Sequence, residues 1–184
     1  MKKLFLLVVA AMTFVATPAM AKEGLYIGAY LIQNAKISGD AGTDIDTGSG
    51  YGFRAGLGFN RYLSIEGNYE RTSYDVKGGG TVDLNGLAVD LKLNFPLTSL
   101  DSANVMTLEP YIKFGYGINY DLKPEGASSS SGSGARFGLG IELYLFRELS
   151  ANVGWTRTNI SFDSPLNKDG NVRAFDIGLM YHFM

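Results

Sequence analysis

Apolar and polar residues alternate with a strict period of two through almost the whole chain that follows residue 21. Because successive side chains of a β-strand point to opposite faces, this period predicts strands, and helical spacing fits none of the segments. Eight segments carry the alternation, and their first apolar residues are Leu25, Tyr51, Leu63, Leu87, Ile112, Phe137, Leu149 and Phe175. The sequence therefore predicts an all-β fold with eight strands.

The first 21 residues are predicted to be a secretory signal peptide. Lys2 and Lys3 precede an apolar run at residues 4–15, and a small-x-small cleavage site follows at residues 19–21. The alternative is an uncleaved membrane anchor. The apolar run is short for that role, since a spanning helix needs about 20 apolar residues.

Removal of residues 1–21 leaves one predicted barrel domain at 22–184. It keeps 14 basic residues against 18 acidic ones, so its net charge is −4. No basic field is available to attract nucleic acid. The chain has no cysteine, which excludes a disulfide framework and a thiolate site.

The predicted connections between the strands alternate in length. Tight connections are predicted at 60–62 and 146–148, and an intermediate one at 96–104. Long polar loops are predicted at residues 38–50, 74–82, 121–133 and 159–171. Short turns at one end and long loops at the other are typical of outer-membrane barrels, whose long loops are extracellular. With an even number of strands, both termini are then expected on the periplasmic side.

The two faces of the alternating pattern favour lipid outside and a polar lumen inside. The polar face is rich in glycine and in charged residues, which suits the narrow interior of an eight-stranded barrel. In lipid only a closed barrel satisfies every backbone group of a sheet. Aromatic residues lie mainly near the ends of the apolar segments, as in interfacial girdles: Tyr51, Phe59, Phe95, Tyr120, Phe175 and Phe183. The prediction is an eight-stranded antiparallel up-and-down transmembrane β-barrel, and the alternative is a soluble periplasmic β-domain.

Charged residues on the polar face form the densest candidate site, a predicted lumen polar network. Its members are Arg54, Glu66, Glu70, Asp90, Lys92, Glu109, Lys113, Arg136, Glu142 and Asp176. Charges in a cramped interior must be paired or hydrated. The network is therefore interpreted as structural ion pairing, with a narrow ion path as the alternative. An ion pair between Arg54 and Glu70 is expected.

Three other features could suggest chemistry, and none is assigned a catalytic, cofactor or metal site. His182, the only histidine, is expected at the periplasmic end in a structural role. The paired glycines at 56/58, 115/117 and 138/140 lie inside strands, which is the wrong context for nucleotide binding. Asp40, Asp44 and Asp46 could supply oxygen ligands to Ca²⁺, but their spacing does not match a helix-loop-helix site.

The signal peptide, the eight alternating segments and the last strand at 175–183 resemble the small bacterial outer-membrane β-barrel family. This family includes the transmembrane domain of outer-membrane protein A and the Ail-like surface barrels. The resemblance implies a bacterial outer-membrane location, a monomer, and contact with outer-membrane lipid and lipopolysaccharide. It also implies recognition of the C-terminal strand by the barrel-assembly machinery. The residues of this assembly signal are Phe175, Ile177, Leu179, Tyr181 and Phe183. Met184 departs from the family pattern by adding one residue.

These observations leave the activity open between three classes of function. We expect a structural or surface-interaction role carried by the extracellular loops, without enzymatic activity. The alternatives are a small pore or carrier for modest solutes and a lipid A-modifying enzyme. The position of the lone histidine disfavours the enzyme.

Overall fold

The computed structural model describes residues 24–39, 45–97, 107–126, 128–164 and 166–183. The predicted signal peptide, Asp40, Asp44 and Met184 lie outside these residues. The described chain forms eight strands: β1 Gly24–Ser38, β2 Ile45–Asn60, β3 Leu63–Val76, β4 Thr81–Asn94, β5 Thr107–Pro124, β6 Ser130–Tyr144, β7 Leu149–Phe162 and β8 Asp169–His182.

The strands form a closed antiparallel barrel in which each strand pairs with the next along the chain. Closure comes from β1 and β8, which pair from Tyr26 opposite His182 to Ser38 opposite Asn171. The predicted eight-stranded up-and-down barrel is confirmed. The described chain begins at Gly24 and ends at Phe183 at the same end of the barrel, which we call the terminal end, and β2–β3, β4–β5 and β6–β7 are also connected at this end. We call the opposite end the far end.

An apolar band surrounds the outside of the barrel next to the terminal end. On β8, Phe175, Ile177 and Leu179 are each more than half exposed, whereas Asp176 between them is buried in the lumen. The outward apolar positions of this strand run from Phe175 to Phe183, close to the ~9–11 residues with which a strand crosses a bilayer. The outer face therefore has the chemistry and the height of a lipid-facing surface.

Polarity reverses on both faces above this band. At the far end the buried inner side chains are apolar, and the outward side chains are polar. The inner residues form one cluster: Tyr30, Ile32, Ala35, Ile37, Tyr74, Val82, Leu84, Tyr120, Leu122, Ile160 and Phe162. The strands thus continue past the lipid band toward the far end. We call this extension the overhang; its core is apolar, and its outer surface is polar.

The prediction of long loops at residues 38–50, 74–82, 121–133 and 159–171 is wrong for much of each segment. Strands occupy parts of all four, and the remaining connections are 39–44, 77–80, 125–129 and 163–168. The alternation continues through these segments, with the apolar residues on the inner face and polar residues on the outer face. These polar residues give each segment the composition of a loop. The connection at 77–80 is a tight turn in which Gly78, Gly79 and Gly80 all adopt positive φ.

Bulges in β1 and β5 keep the apolar side chains inside where polarity reverses. In β1 the register shifts between Ile32 and Ala35, and Asn34 has a φ of 50°. Both Ala35 and Ile37 are therefore buried while Lys36 points outward. A bulge adds one residue to a strand and so exchanges its two faces.

The bulge in β5 corrects one sequence expectation. Tyr120, predicted in the outer aromatic girdle, is buried in the lumen, and Asn119 is exposed. The register shifts between Gly117 and Tyr120, which moves Tyr120 to the opposite face. A strict period of two does not anticipate this inserted residue.

The loss of unfolding free energy caused by a charged substitution on β7 should depend strongly on whether the residue lies inside or above the lipid-facing band. We expect Val153→Arg to lower the free energy of unfolding by about 2–4 kcal/mol, because Val153 faces lipid near the middle of the band. Ser161→Arg, on the same face of the same strand but in the overhang, should cost at most about 1 kcal/mol. Urea unfolding in phosphatidylcholine vesicles measures both. Equal costs at the two positions would contradict the assignment of the band.

Candidate functional site in the barrel lumen

All ten residues of the predicted lumen polar network lie on inward positions of the strands. Nine of them are buried, and the side chain of Glu70 is 19% exposed. Glu109 lies on β5 directly opposite Glu142 of β6. Strand alternation turns these residues inward, and closure of the barrel brings them from six strands, β2 to β6 and β8, into one interior.

The part of the network nearer the terminal end is centred on two lysines. The Lys92 Nζ atom donates to Glu142 at 2.6 Å and lies 3.4 Å from Glu66. The Lys113 Nζ atom lies 3.6 Å from Glu66 and 3.8 Å from Asp90. Two ammonium groups and three carboxylates therefore share one buried layer, in which each lysine has two acidic neighbours.

The part nearer the far end is built on two arginines. Arg54 donates to Asp176 at 2.9 Å. Arg136 donates to Glu70 at 2.9 Å from Nη1, and the same atom donates to the Tyr120 hydroxyl at 3.0 Å. Charge-assisted hydrogen bonds of this kind are stronger and more directional than neutral ones. The Arg54–Asp176 pair links β2 to β8 across β1, and the Arg136–Glu70 pair links β6 to β3 across the lumen.

The expected ion pair between Arg54 and Glu70 is wrong. Arg54 pairs with Asp176, and Glu70 pairs with Arg136. Tyr30 lies between the two expected partners. Its ring stacks against the Arg54 guanidinium at 4.2 Å, and its hydroxyl donates to Glu70 at 3.0 Å. The aromatic ring occupies the space that a direct contact would need.

Inward tyrosines are a part of the lumen that the list of charged residues does not include. The Tyr30 ring lies over Gly52 of β2, where an added Cβ would clash with it. Three similar pairs are Tyr26 over Gly56, Tyr120 over Gly86 and Tyr111 over Gly140. Glycines on the polar face therefore make room for tyrosine rings from neighbouring positions. An aromatic residue at a polar-face position beside a glycine in the next strand is the sequence signal that would have identified them.

His182 belongs to a small polar cluster at the terminal end of the lumen. Its Nε2 atom lies 2.9 Å from the Ser150 hydroxyl and 3.3 Å from a Glu142 oxygen. The Tyr26 and Tyr144 rings flank it, with centroids at 5.3 and 5.1 Å. A serine–histidine–acid triad needs the acid on one ring nitrogen and the serine on the other. Here both groups approach the same nitrogen.

The lumen is filled between the ion pairs and the apolar overhang. A cavity of about 20 Å³ remains beside Tyr30, Tyr120 and Arg136, which is room for about one water molecule. Above it the apolar cluster of the far end closes the interior. The described part of the lumen is therefore a packed core.

The described residues contain no group of three or more acidic, histidine or cysteine side chains that could hold a metal ion. Of the three aspartates considered for Ca²⁺, Asp46 is exposed on β2, and the other two lie outside the described chain. Within the described ranges, no helix is long and apolar enough to cross a membrane.

The buried ion pairs predict a contrast between two arginines with the same 2.9 Å contact to an aspartate. Replacing Arg54 by Leu should cost about 3–5 kcal/mol of unfolding free energy, because Asp176 is left charged in the lumen. The double variant Arg54→Leu/Asp176→Asn should recover most of the lost stability, because it leaves no unpaired charge at this position. Arg71→Leu breaks an exposed pair with Asp83 and should cost much less, because water and salt screen exposed charges. Equal losses for Arg54→Leu and Arg71→Leu in urea unfolding would contradict a structural role for the lumen pairs.

Comparison with known proteins supports the architecture. A family model described as an outer membrane protein beta-barrel domain matches residues 7–183. Among solved structures, Neisserial surface protein A matches with a TM-score of 0.63 and 17% identity, over 88% of this chain and 98% of that one.

Two further structures share the fold at similar distance. The attachment invasion locus protein Ail of Yersinia pestis matches with a TM-score of 0.54 and 15% identity, over 88% of this chain and 99% of that one. OprG of Pseudomonas aeruginosa matches with a TM-score of 0.51 and 18% identity, over 88% and 97%. No curated protein matches the sequence.

The family match covers nearly the whole chain, and the closed barrel with its apolar exterior has the architecture that this family requires. The resemblance noted in the sequence is confirmed. The chain belongs to the outer-membrane protein β-barrel family and is a protein of the bacterial outer membrane.

Proposed function

We propose that this protein is a non-channel surface barrel whose extracellular overhang serves as a rigid interaction surface. The observation that carries the proposal is the apolar core of the far end, which continues the strands beyond the lipid band and closes the lumen. An overhang with its own core presents side chains at set positions, as a scaffold for binding does.

The orientation of the barrel is inferred from the overhang. The terminal end, where Gly24 and Phe183 lie, carries the connections 61–62, 95–106 and 145–148, so the length of the turns does not distinguish the two ends. We infer that the terminal end is periplasmic, because the strands continue beyond the lipid band at the far end, and the longer extramembrane parts of outer-membrane barrels are extracellular. The overhang then faces outward.

The outer surface of the overhang is hydrogen-bonded between neighbouring strands, and this rigidity supports the proposal. Asp121 accepts from Ser131 at 2.6 Å, and Tyr116 bonds to Ser133 at 3.0 Å. Asn171 donates to Asn159 across β8 and β7. The interaction surface is therefore assigned to strand residues of the overhang and its turns, in place of the long loops expected from the sequence.

The names of two similar structures are in line with a surface role. One is a surface protein, and the other is an attachment invasion locus protein. Their identity to this chain is below 20%, so they support the class of function and say nothing of a ligand for this protein.

A catalytic role has little support from the lumen. The serine and the acid that approach His182 share one ring nitrogen, and the cluster lies at the inferred periplasmic end. We therefore propose a non-enzymatic protein. A small pore remains the second candidate, because the lumen carries a layer of buried charges around Lys92 and Lys113.

Planar-bilayer recordings separate the surface barrel from the pore. We expect pure, folded protein to give no resolved channel events in concentrated KCl, because tyrosine rings and the apolar cluster fill the lumen. A porin in the same bilayer is the positive control. Steps of conductance that disappear when the protein is heat-unfolded would favour the pore instead.

Epitope insertion tests which end is outside. A short tag inserted between Gly78 and Gly79 should bind antibody on intact cells, because this turn caps the overhang. The matched insertion between Arg147 and Glu148 should bind only after the outer membrane is permeabilised. The reverse pattern would place the overhang in the periplasm and end the proposal of a surface role.

A further inference from the structure

Three cations stand side by side on the outer surface where the apolar band ends. Lys36 of β1 lies directly opposite Arg173 of β8, and Arg173 lies directly opposite Arg157 of β7. All three side chains are exposed. We call these three residues the cation row. With neighbouring strands about 4.8 Å apart, the row is about 10 Å long.

The cation row has no acidic partner within the part of the chain that the structure describes. Arg157 donates to Asn159 at 3.4 Å, and Arg173 donates to Asn171 at 3.0 Å, each to an amide oxygen on its own strand. Like charges directly opposite each other on neighbouring strands destabilise a sheet. The row therefore carries an uncompensated positive charge that an external anion would relieve.

The opposite side of the barrel shows that this arrangement is not a general consequence of the fold. There Arg71 of β3 pairs with Asp83 of β4 at 2.9 Å. Asp83 in turn lies directly opposite Lys123 of β5. Signs alternate along β3, β4 and β5, so that side of the rim neutralises itself. The cation row is the unneutralised side.

The height of the cation row points to lipid headgroups. Two residues below Arg157 and Arg173 on the same strands lie Trp155 and Phe175, which are directly opposite each other and end the apolar band. Aromatic residues of membrane proteins concentrate at the level of the headgroups. The row is thus flush with the headgroup layer and lies below the tips of the strands.

Lys36 reaches this row only through the bulge in β1. If strict alternation continued from Ile32 without a bulge, Lys36 would point into the lumen and Ile37 would face outward. The bulge therefore both seals the apolar core and completes the row.

We propose that the cation row binds the phosphate groups of a phosphorylated glycolipid of the outer leaflet, such as lipid A. Guanidinium groups suit this ligand because they bind phosphate oxygens in pairs, and the ammonium group of Lys36 adds a point charge. The acyl chains would then lie along the apolar surface beneath Trp155 and Phe175. This lipid site goes beyond the proposed surface role and depends only on the barrel's orientation in the membrane.

The test uses folded protein in phosphatidylcholine nanodiscs that contain bisphosphorylated lipid A, dephosphorylated lipid A or neither. Native mass spectrometry measures the lipid A retained on each barrel. We expect retention of the bisphosphorylated form and little of the dephosphorylated one. The triple variant K36Q/R157Q/R173Q should bind on the order of a hundred-fold more weakly, at roughly five-fold per cation removed near a charged surface.

Arg71→Gln is the matched control, because it removes one exposed arginine of the same rim that already has an acidic partner. Its retention of lipid A should stay within about two-fold of the unmodified protein. Equal loss in R71Q and in the triple variant would overturn the assignment to the row. So would unchanged retention in the triple variant.

Two further measurements on the unmodified protein keep the proposal testable even if the triple variant does not fold. Retention by the unmodified protein should fall as salt is raised, since exposed charges are screened. Retention that is insensitive to salt, or equal for both forms of lipid A, would overturn the proposal.

Soluble anions test whether the cation row binds phosphate groups of a membrane lipid or free anions from the medium. Inorganic phosphate or a sulfated polysaccharide, added to lipid A-free nanodiscs, should bind the unmodified protein and the triple variant equally weakly. Tighter binding to the unmodified protein would show a site for soluble anions and contradict a lipid site.

Discussion

Closure of the sheet by β1 and β8 is the interaction on which the rest of this structure depends. A sheet edge in lipid would leave its backbone N–H and C=O groups without partners, at a cost of several kcal/mol for each group. Pairing from Tyr26 opposite His182 to Ser38 opposite Asn171 removes that edge. Once the barrel is closed, every strand has one face toward lipid and one toward a narrow interior, and the side-chain chemistry of both faces follows.

The charged residues of the interior then need partners within the protein, because little water reaches charges that are enclosed by a lipid-facing wall. Two lysines and two arginines meet carboxylates from several strands, and tyrosine rings fill the space over glycines. Tyr30 joins the two kinds of packing, since it stacks on Arg54 and donates to Glu70. The lumen is consequently a cross-linked core that holds the strands together.

The reversal of polarity at the top of the lipid band links the fold to the proposed roles. Above this height the barrel is surrounded by water instead of lipid, so apolar side chains lie on the inner face and polar side chains on the outer face. The same strands therefore serve as a membrane anchor below and as a water-exposed scaffold above. At the boundary between the two regimes, the outward charges pair on one side of the barrel and accumulate as Lys36, Arg173 and Arg157 on the other.

Much of this arrangement could be predicted from the chain, and the errors have physical causes. The period of two predicted eight strands and a polar lumen. Where the alternation continues with reversed faces, through residues 74–82 and 121–133, its composition resembles that of a loop. One inserted residue in β5 shifts the phase of the pattern, so a strict period of two puts Tyr120 on the wrong face. A strict period of two assigns every second residue to the same face and therefore cannot place a residue that lies beyond a bulge.

The amino-acid sequence by itself determined the number of strands, the lipid-facing residues such as Leu139 and Ile177, and the set of charges that enter the lumen. These properties follow from side-chain order along single strands, because alternation assigns each residue to a face. Only the tertiary structure decided that Arg54 contacts Asp176 instead of Glu70, and that three cations from β1, β7 and β8 meet in one row. Arg54 and Asp176 lie on strands that are distant in the chain, as do Lys36 and Arg173, so these arrangements depend on the register, the bulges and the closure of the barrel.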